Sequence, residues 1–166
     1  QILRRSPRIA PEDRQRLEVV ANSGEHLLHM INDLLDFAKI EAGKLDVRPA
    51  PFALGQLVQE LATNFELRAR EKGLALDLHL QGVSQHLVLG DAQKLRQVID
   101  NLLSNAIKFT AAGRVGLEVV VQGEKVAFHV RDTGVGIAPA DAARLFEPFQ
   151  QARENRPNVP GTGLGL

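Results

Sequence analysis

The chain contains no cysteine. Disulfide staples and thiolate metal sites are therefore excluded, and the composition fits a reducing cytoplasm. It also lacks a charge of one dominant sign. The 20 basic and 20 acidic side chains leave a formal net charge of +0, which is no footprint for nucleic acid, a ligand that calls for a basic stripe. No apolar run approaches the roughly 18–20 residues of a membrane span, so no membrane contact is expected from this segment. No signal peptide is visible. Hydrophobicity is not lacking, at 44% of residues, enough to favour a packed core over disorder. The 166 residues suffice for one ordinary domain and a small accessory element. Gln1 opens in mid-pattern and Leu166 stops where a glycine turn should start a helix; both ends read as cuts in a longer protein.

Helix signals come first. Pro7 breaks any helix over residues 1–5, and Pro11 opens another, with Glu12 and Asp13 in its first turn where acids suit the macrodipole. Leu17, Val20, Gly24, Leu27, Ile31, Leu34 and Ala38 then recur at spacings of three and four, a heptad seam that Ala21, Leu28 and Leu35 widen by one column. Gly43 is placed as its stop. A stripe this broad suits a bundle. A single helix of about 30 residues cannot bury it alone, so a homodimer through these helices is expected.

Two prolines in Arg48-Pro-Ala-Pro-Phe52 predict a stiff, non-helical linker. A second domain begins there. A helix is predicted over residues 54–72. Leu74, Leu76, Leu78 and Leu80 alternate as a half-buried strand, and residues 85–89 form a short second one. Asp91 is a suitable cap for a helix over residues 91–110. Val115, Leu117, Val119 and Val121 alternate again, Gln122-Gly-Glu-Lys125 is a two-residue hairpin turn, and Val126, Phe128 and Val130 return on one face. Asp132 shares their parity, which directs it to the covered side of the sheet. The fold class expected is α+β: a helical bundle segment over residues 1–48, followed over 49–166 by a two-layer α/β sandwich with helices on one face of a mixed, mostly antiparallel sheet.

The chemistry concentrates in three stretches. On the helix over residues 91–110, Leu95, Val98, Ile99, Leu102, Leu103 and Ala106 are expected to be buried, while Asn101, Asn105 and Lys108 share another face. Two carboxamide oxygens and an ammonium on one stripe suit Mg²⁺, which takes hard oxygen ligands, and phosphate. An ordinary polar helix face would read the same way. In Asp132-Thr-Gly-Val-Gly136 an acid at a strand end can accept a hydrogen bond from an exocyclic amine, and Gly134 and Gly136 let the backbone approach a flat base. A plain Asp-Thr-Gly turn is the alternative. No Gly-Lys-Ser/Thr follows, so this is not a phosphate-cradling P-loop. Gly161-Thr-Gly-Leu-Gly165 exposes backbone N–H groups in alternation, or is a frayed end. Residues 150–160 read as a lid, from which Arg153 and Arg156 could reach phosphates; Phe146 and Phe149 would anchor its root.

In this order the stretches resemble the N, G1, F and G2 boxes of the ATP-binding domain of sensor histidine kinases, the Bergerat-type fold. Gly24-Glu-His-Leu-Leu-His-Met-Ile-Asn-Asp-Leu-Leu-Asp-Phe-Ala-Lys-Ile-Glu-Ala-Gly43 resembles the second helix of that family's dimerisation and phosphotransfer hairpin. The resemblance implies that Asp132 binds the adenine amino group and that Gly134 and Gly136 shape its pocket. It implies that Asn105, with Asn101, holds Mg²⁺, that Lys108 contacts phosphate and that Phe109 packs by the base. Gly161, Thr162, Gly163 and Gly165 would wrap the triphosphate. Related gyrase and chaperone ATPases carry a Glu general base where this chain has Asn101. An amide cannot deprotonate water, so the site looks built to hold ATP for a separate acceptor. The family's His-Glu-Leu-Arg acceptor motif is absent; the accepting histidine is expected upstream of Gln1, with no catalytic residue inside the chain. His26 and His29 fall at c and f positions and read as solvated surface residues. His79, His86 and His129 show no metal-ligand spacing. The expected function is the ATP-binding core of a cytoplasmic kinase region that serves a response-regulator receiver. The alternatives are a non-catalytic nucleotide-binding scaffold and, against the missing Glu, a hydrolysing ATPase.

Overall fold

The computed structural model describes residues 11–44, 46–83 and 86–142. Helix α1 spans Pro11–Glu41, starting at the predicted proline. It stops at Gly43, whose φ of 64° is the left-handed conformation that glycine adopts freely. Gly43 N–H donates to Ile40 O and Lys44 N–H to Lys39 O, a glycine stop of the Schellman type. The predicted seam is uncovered: Leu27, Leu28, Ile31, Leu34 and Leu35 are all exposed. The side chains of His26 and His29 lie outside the described residues.

The linker differs from expectation in one respect. Ala50–Ala53 forms a strand, β1, despite Pro51. It pairs antiparallel with β3, Leu87–Gly90, in a two-stranded sheet, with Pro51 opposite Leu89. Both strands of such a sheet are edges, and an edge strand tolerates proline where the missing N–H would point away from the partner strand. Helix α2, Leu54–Glu71, buries Leu54, Leu57, Val58, Leu61, Ala62, Phe65 and Ala69. Gly73, at φ 73°, ends it: Gly73 N–H donates to Arg70 O and Leu74 N–H to Ala69 O.

The second sheet has the order β2-β4-β5. Strand β2, Ala75–Gln81, runs parallel to β4, Arg114–Gln122. Strand β5, Lys125–Asp132, returns antiparallel across the predicted Gly123-Glu124 turn. Helix α3, Ala92–Phe109, forms the crossover between the parallel strands, and a short helix α4, Pro139–Ala142, follows β5. Val115, Leu117 and Val119 of β4 meet Ile99, Leu103, Ala106 and Ile107 of α3 and the buried face of α2 in one core. The helices thus cover one face of the strands, and the opposite face is polar. Where the sequence pattern placed Val98 in that core, the structure leaves it 55% exposed, and Leu95 and Leu102 are half-buried. The buried stripe of α3 is rotated by a fraction of a turn, so that Ile107 joins it. No described helix is long and apolar enough to cross a membrane.

Candidate functional site

Asp91 caps α3 as its type dictates. Its Oδ1 accepts from Gln93 N–H and Lys94 N–H, both at 3.1 Å, and its Oδ2 accepts from Arg48 N–H at 3.1 Å. The bond from Arg48, then that from Lys94, holds the carboxyl below its ordinary value. One side chain therefore fixes the start of α3 and ties the linker to it. A second tie sits mid-helix: Arg96 Nη2 lies 2.6 Å from Glu60 Oε2 of α2. Arg96 and then Gln56 lower the Glu60 carboxyl.

With α3 fixed by its core stripe, Asn101, Asn105, Lys108 and Phe109 come out half-buried. The Lys108 ammonium lies 5.2 Å from the centre of the Phe109 ring, within cation–π range. At the other wall stands the tip of β5. Asp132 Oδ1 accepts from Gly134 N–H at 2.8 Å, and among the described residues no donor meets its Oδ2. Asp132 has the predicted parity but is exposed rather than covered. It is the last residue of β5.

Gly134 decides how the two walls meet. A Cβ there would stand 2.5 Å from the Phe109 carbonyl oxygen and 2.8 Å from Asp132 Oδ1. Only a residue without Cβ lets the turn after β5 close onto the last turn of α3. Asp132 is thereby brought to the same end of α3 as Asn105, Lys108 and Phe109. Gly136 adopts φ 69°, with nothing within 4 Å of a Cβ, so its requirement is backbone conformation. Gly161, Thr162, Gly163 and Gly165, the lid with Arg153 and Arg156, and Phe146 and Phe149 lie outside the described residues.

Two site-building residues escaped the sequence reading. Thr133 Oγ1 accepts from Arg114 N–H at 3.0 Å, and Thr133 N–H donates to Arg114 O at 3.2 Å. Gly113, at φ 114°, makes room for that hydroxyl, since a Cβ there would stand 2.2 Å from Oγ1. The loop leaving α3 is thus pinned to the residue beside Asp132. Lys72, at the end of α2, donates from Nζ to Ile107 O at 2.6 Å and Lys108 O at 2.8 Å. Neither contact leaves a sequence signature, because each joins residues far apart in the chain.

A separate cavity of about 590 Å³ opens on the polar outer face of the three-stranded sheet. It is lined by Asp77, His79, Arg114, Glu118, His129 and Arg131 around Gly116, with Asp132 and Thr133 at its rim. The amide stripe of α3 is on the other side of the sheet and contributes nothing to it. Among the described residues no three of His, Cys, Asp or Glu are arranged to hold a metal ion. Any Mg²⁺ held here would rest on amide and phosphate oxygens, a donor set that this hard cation accepts. The half-buried amides of α3 and the Cβ-free approach at Gly134 fit such a complex.

Comparison with known proteins bears on both regions. Residues 90–166 match the family model described as histidine kinase-, DNA gyrase B- and HSP90-like ATPase, and residues 1–43 match the His Kinase A (phospho-acceptor) domain. The chain is 45% identical over 161 residues to the virulence sensor protein BvgS of Bordetella bronchiseptica, covering 93% of this chain and 13% of that protein. It is 40% identical over 164 residues to the signal transduction histidine-protein kinase BarA of Escherichia coli K12, covering 95% and 18%. The crystal structure of full-length ShkA in complex with AMPPNP aligns with a TM-score of 0.72 at 36% identity, covering 95% of this chain and 33% of that one. The chain spans under a fifth of the length of these two curated relatives. The amide-bearing helix, the Asp-Thr-Gly turn closed upon it and the long helix ahead of them have one common source: the chain belongs to the sensor histidine kinases of two-component systems.

Proposed function

We propose that residues 49–166 hold Mg-ATP between the last turns of α3 and the tip of β5, and that residues 1–48 dimerise the protein. The observation that supports this is the approach of Gly134 to the Phe109 carbonyl, which leaves no room for a Cβ and holds the turn after Asp132 against the last residue of α3. Asp132 Oδ2 is the acceptor for the adenine amino group, while Oδ1 stays bonded to Gly134 N–H. Phe109 packs by the base. Asn105 and Asn101 offer carboxamide oxygens to Mg²⁺, and Lys108 offers its ammonium to phosphate. Gly161, Thr162, Gly163 and Gly165 wrap the triphosphate. Bound Mg²⁺ supplies neutralisation of phosphate charge. The chain's own residues orient the nucleotide and, with an amide at Asn101, provide no base to activate water. The γ-phosphoryl group is then kept for a histidine outside residues 1–166, and from there for an aspartate on a response-regulator receiver domain. The AMPPNP bound in ShkA supports the nucleotide part of this reading.

Titration calorimetry tests the site. Asp132→Asn loses a hydrogen bond to a charged acceptor, about 1.5–3 kcal/mol, or roughly ten- to a hundredfold in ATP affinity. Unchanged affinity would remove Asp132 from the adenine pocket. Asn105→Ala should abolish the magnesium-dependent part of the affinity. Kinase activity is read by mixing the chain with a hairpin that bears an acceptor histidine. Labelled phosphate on that histidine is expected; bound ATP with none transferred would make the chain a non-catalytic scaffold.

A further inference from the structure

Three helices of this chain end in two different ways. Helices α1 and α2 stop at Gly43 and Gly73, and in each the two residues after the cap donate N–H groups to the last free carbonyls. Those carbonyls, three and two residues before the cap, are the ones that a glycine stop satisfies. Helix α3 has no such glycine. Its cap, Thr110, is extended at φ −97° and ψ 115°, and the chain leaves at once for β4. The two carbonyls a glycine stop would have served are Ile107 O and Lys108 O. Both are bonded instead by one atom, Lys72 Nζ, at 2.6 and 2.8 Å.

The substitution has an electrostatic consequence. The C-terminal end of a helix carries the negative pole of its macrodipole, the wrong pole for an anion. The polar stripe of α3 meets its proposed ligand at that end. An ammonium seated on the carbonyls of Ile107 and Lys108 offsets the pole and holds the backbone that carries the Lys108 side chain in one position. A neutral glycine stop would satisfy the hydrogen bonds but leave the field.

We propose that Lys72 is a positioning residue for the phosphate half of the nucleotide site, acting through the C-terminal turn of α3. This rests on the nucleotide reading above. The Lys72 bonds go to Ile107 O and Lys108 O, not to Phe109 or Asp132, and Asp132 is held by Gly134 N–H, so the base end of the site depends on Lys72 less than the phosphate end does. The binding of phosphate and of base should therefore separate.

The test measures the affinity of the whole chain for Mg-ATP and for adenosine by calorimetry, alongside the unfolding midpoint. Lys72→Met should weaken Mg-ATP binding on the order of three- to thirtyfold, as residues that modulate a site without touching its ligand do. Adenosine affinity should stay within twofold of wild type. Lys72→Arg, which keeps a charged donor on the same carbonyls, should restore most of the loss, and Lys72→Gln should fall between. Equal Mg-ATP affinity in wild type and the folded Met variant overturns the proposal. So does a parallel loss for adenosine and Mg-ATP, which would make Lys72 merely structural. If the Met variant does not fold, the Arg and Gln variants decide: indistinguishable Mg-ATP affinities overturn the proposal, and the graded order supports it. Absence of Mg-ATP binding in the wild type is a different failure, because it removes the nucleotide site itself.

Discussion

Helices α1 and α3 carry apolar stripes of the same kind and meet opposite fates. On α3, Ile99, Leu103, Ala106 and Ile107 are buried against α2 and the sheet. On α1, Leu27, Leu28, Ile31, Leu34 and Leu35 are exposed, with Leu34 at 51%. The contrast follows from what each helix has beside it. Strands β4 and β5 and helix α2 come from the same chain and close over α3. Helix α1 is followed by a linker and, among the described residues, has no such layer. Amphipathic pattern alone states that a helix needs a cover; it does not state whose.

The largest effect expected breaks this comparison directly. Leu103→Ala, at a fully buried position, should cost about 2–5 kcal/mol of folding stability in a denaturant titration. Leu34→Ala should leave the unfolding of the ATP-binding region within about 0.5 kcal/mol of wild type. It should instead weaken dimerisation, read as a shift towards monomer in sedimentation at low concentration. A stable dimer in a Leu27→Glu, Leu34→Glu double variant would mean that the stripe is covered by something other than a second copy.

A smaller effect sharpens the role of the junction between α3 and β5. Gly134→Ala forces a Cβ to 2.5 Å from the Phe109 carbonyl. Overpacking of this kind costs about 1–3 kcal/mol. The turn must retreat from α3, so ATP affinity should fall by more than stability does. Thr133→Val should have a milder consequence of the same sign, since it removes the acceptor for Arg114 N–H while keeping shape. Thr133→Ser should restore it.

The smallest effect concerns the start of α3. The Asp91 carboxyl is held below its ordinary value by hydrogen bonds, so the folded state favours its charged form. Its contribution is present above the unfolded pKa of about 3.9 and is lost as pH falls through the lower folded value. Asp91→Ala should therefore lower the thermal midpoint at pH 7, and the gap to wild type should narrow in the acid range below about pH 4. A gap that is constant from pH 7 to pH 3 would show that the cap acts without its charge.

Much of this protein was legible in its residues. The bounds of α1, α2 and α3, the hairpin between β4 and β5, and the caps at Gly43, Gly73 and Asp91 depend on local geometry. Local geometry is written in spacing and in residue type: periods of 3.6 and 2, glycine where φ is positive, a short acid where N–H groups need an acceptor. Strand β1 was less legible, because two prolines mask a segment whose partner lies some 35 residues on. The placement of Val98 was misread for a related reason. Periodicity defines a stripe, but the edge of a stripe is set by the neighbour that packs on it.

What spacing could state about the site was that Asn101, Asn105 and Lys108 share a helix face and that Asp132 ends a strand. Whether these two features meet depends on Gly134 packing on a carbonyl 25 positions earlier, on Thr133 pinning the start of β4 across 19 residues and on Lys72 pinning the end of α3 across 35. Such contacts follow no period and need no particular local conformation. They exist only once the chain has folded around its core, because the energy that brings the partners together comes from burying the stripes, not from the contacts themselves.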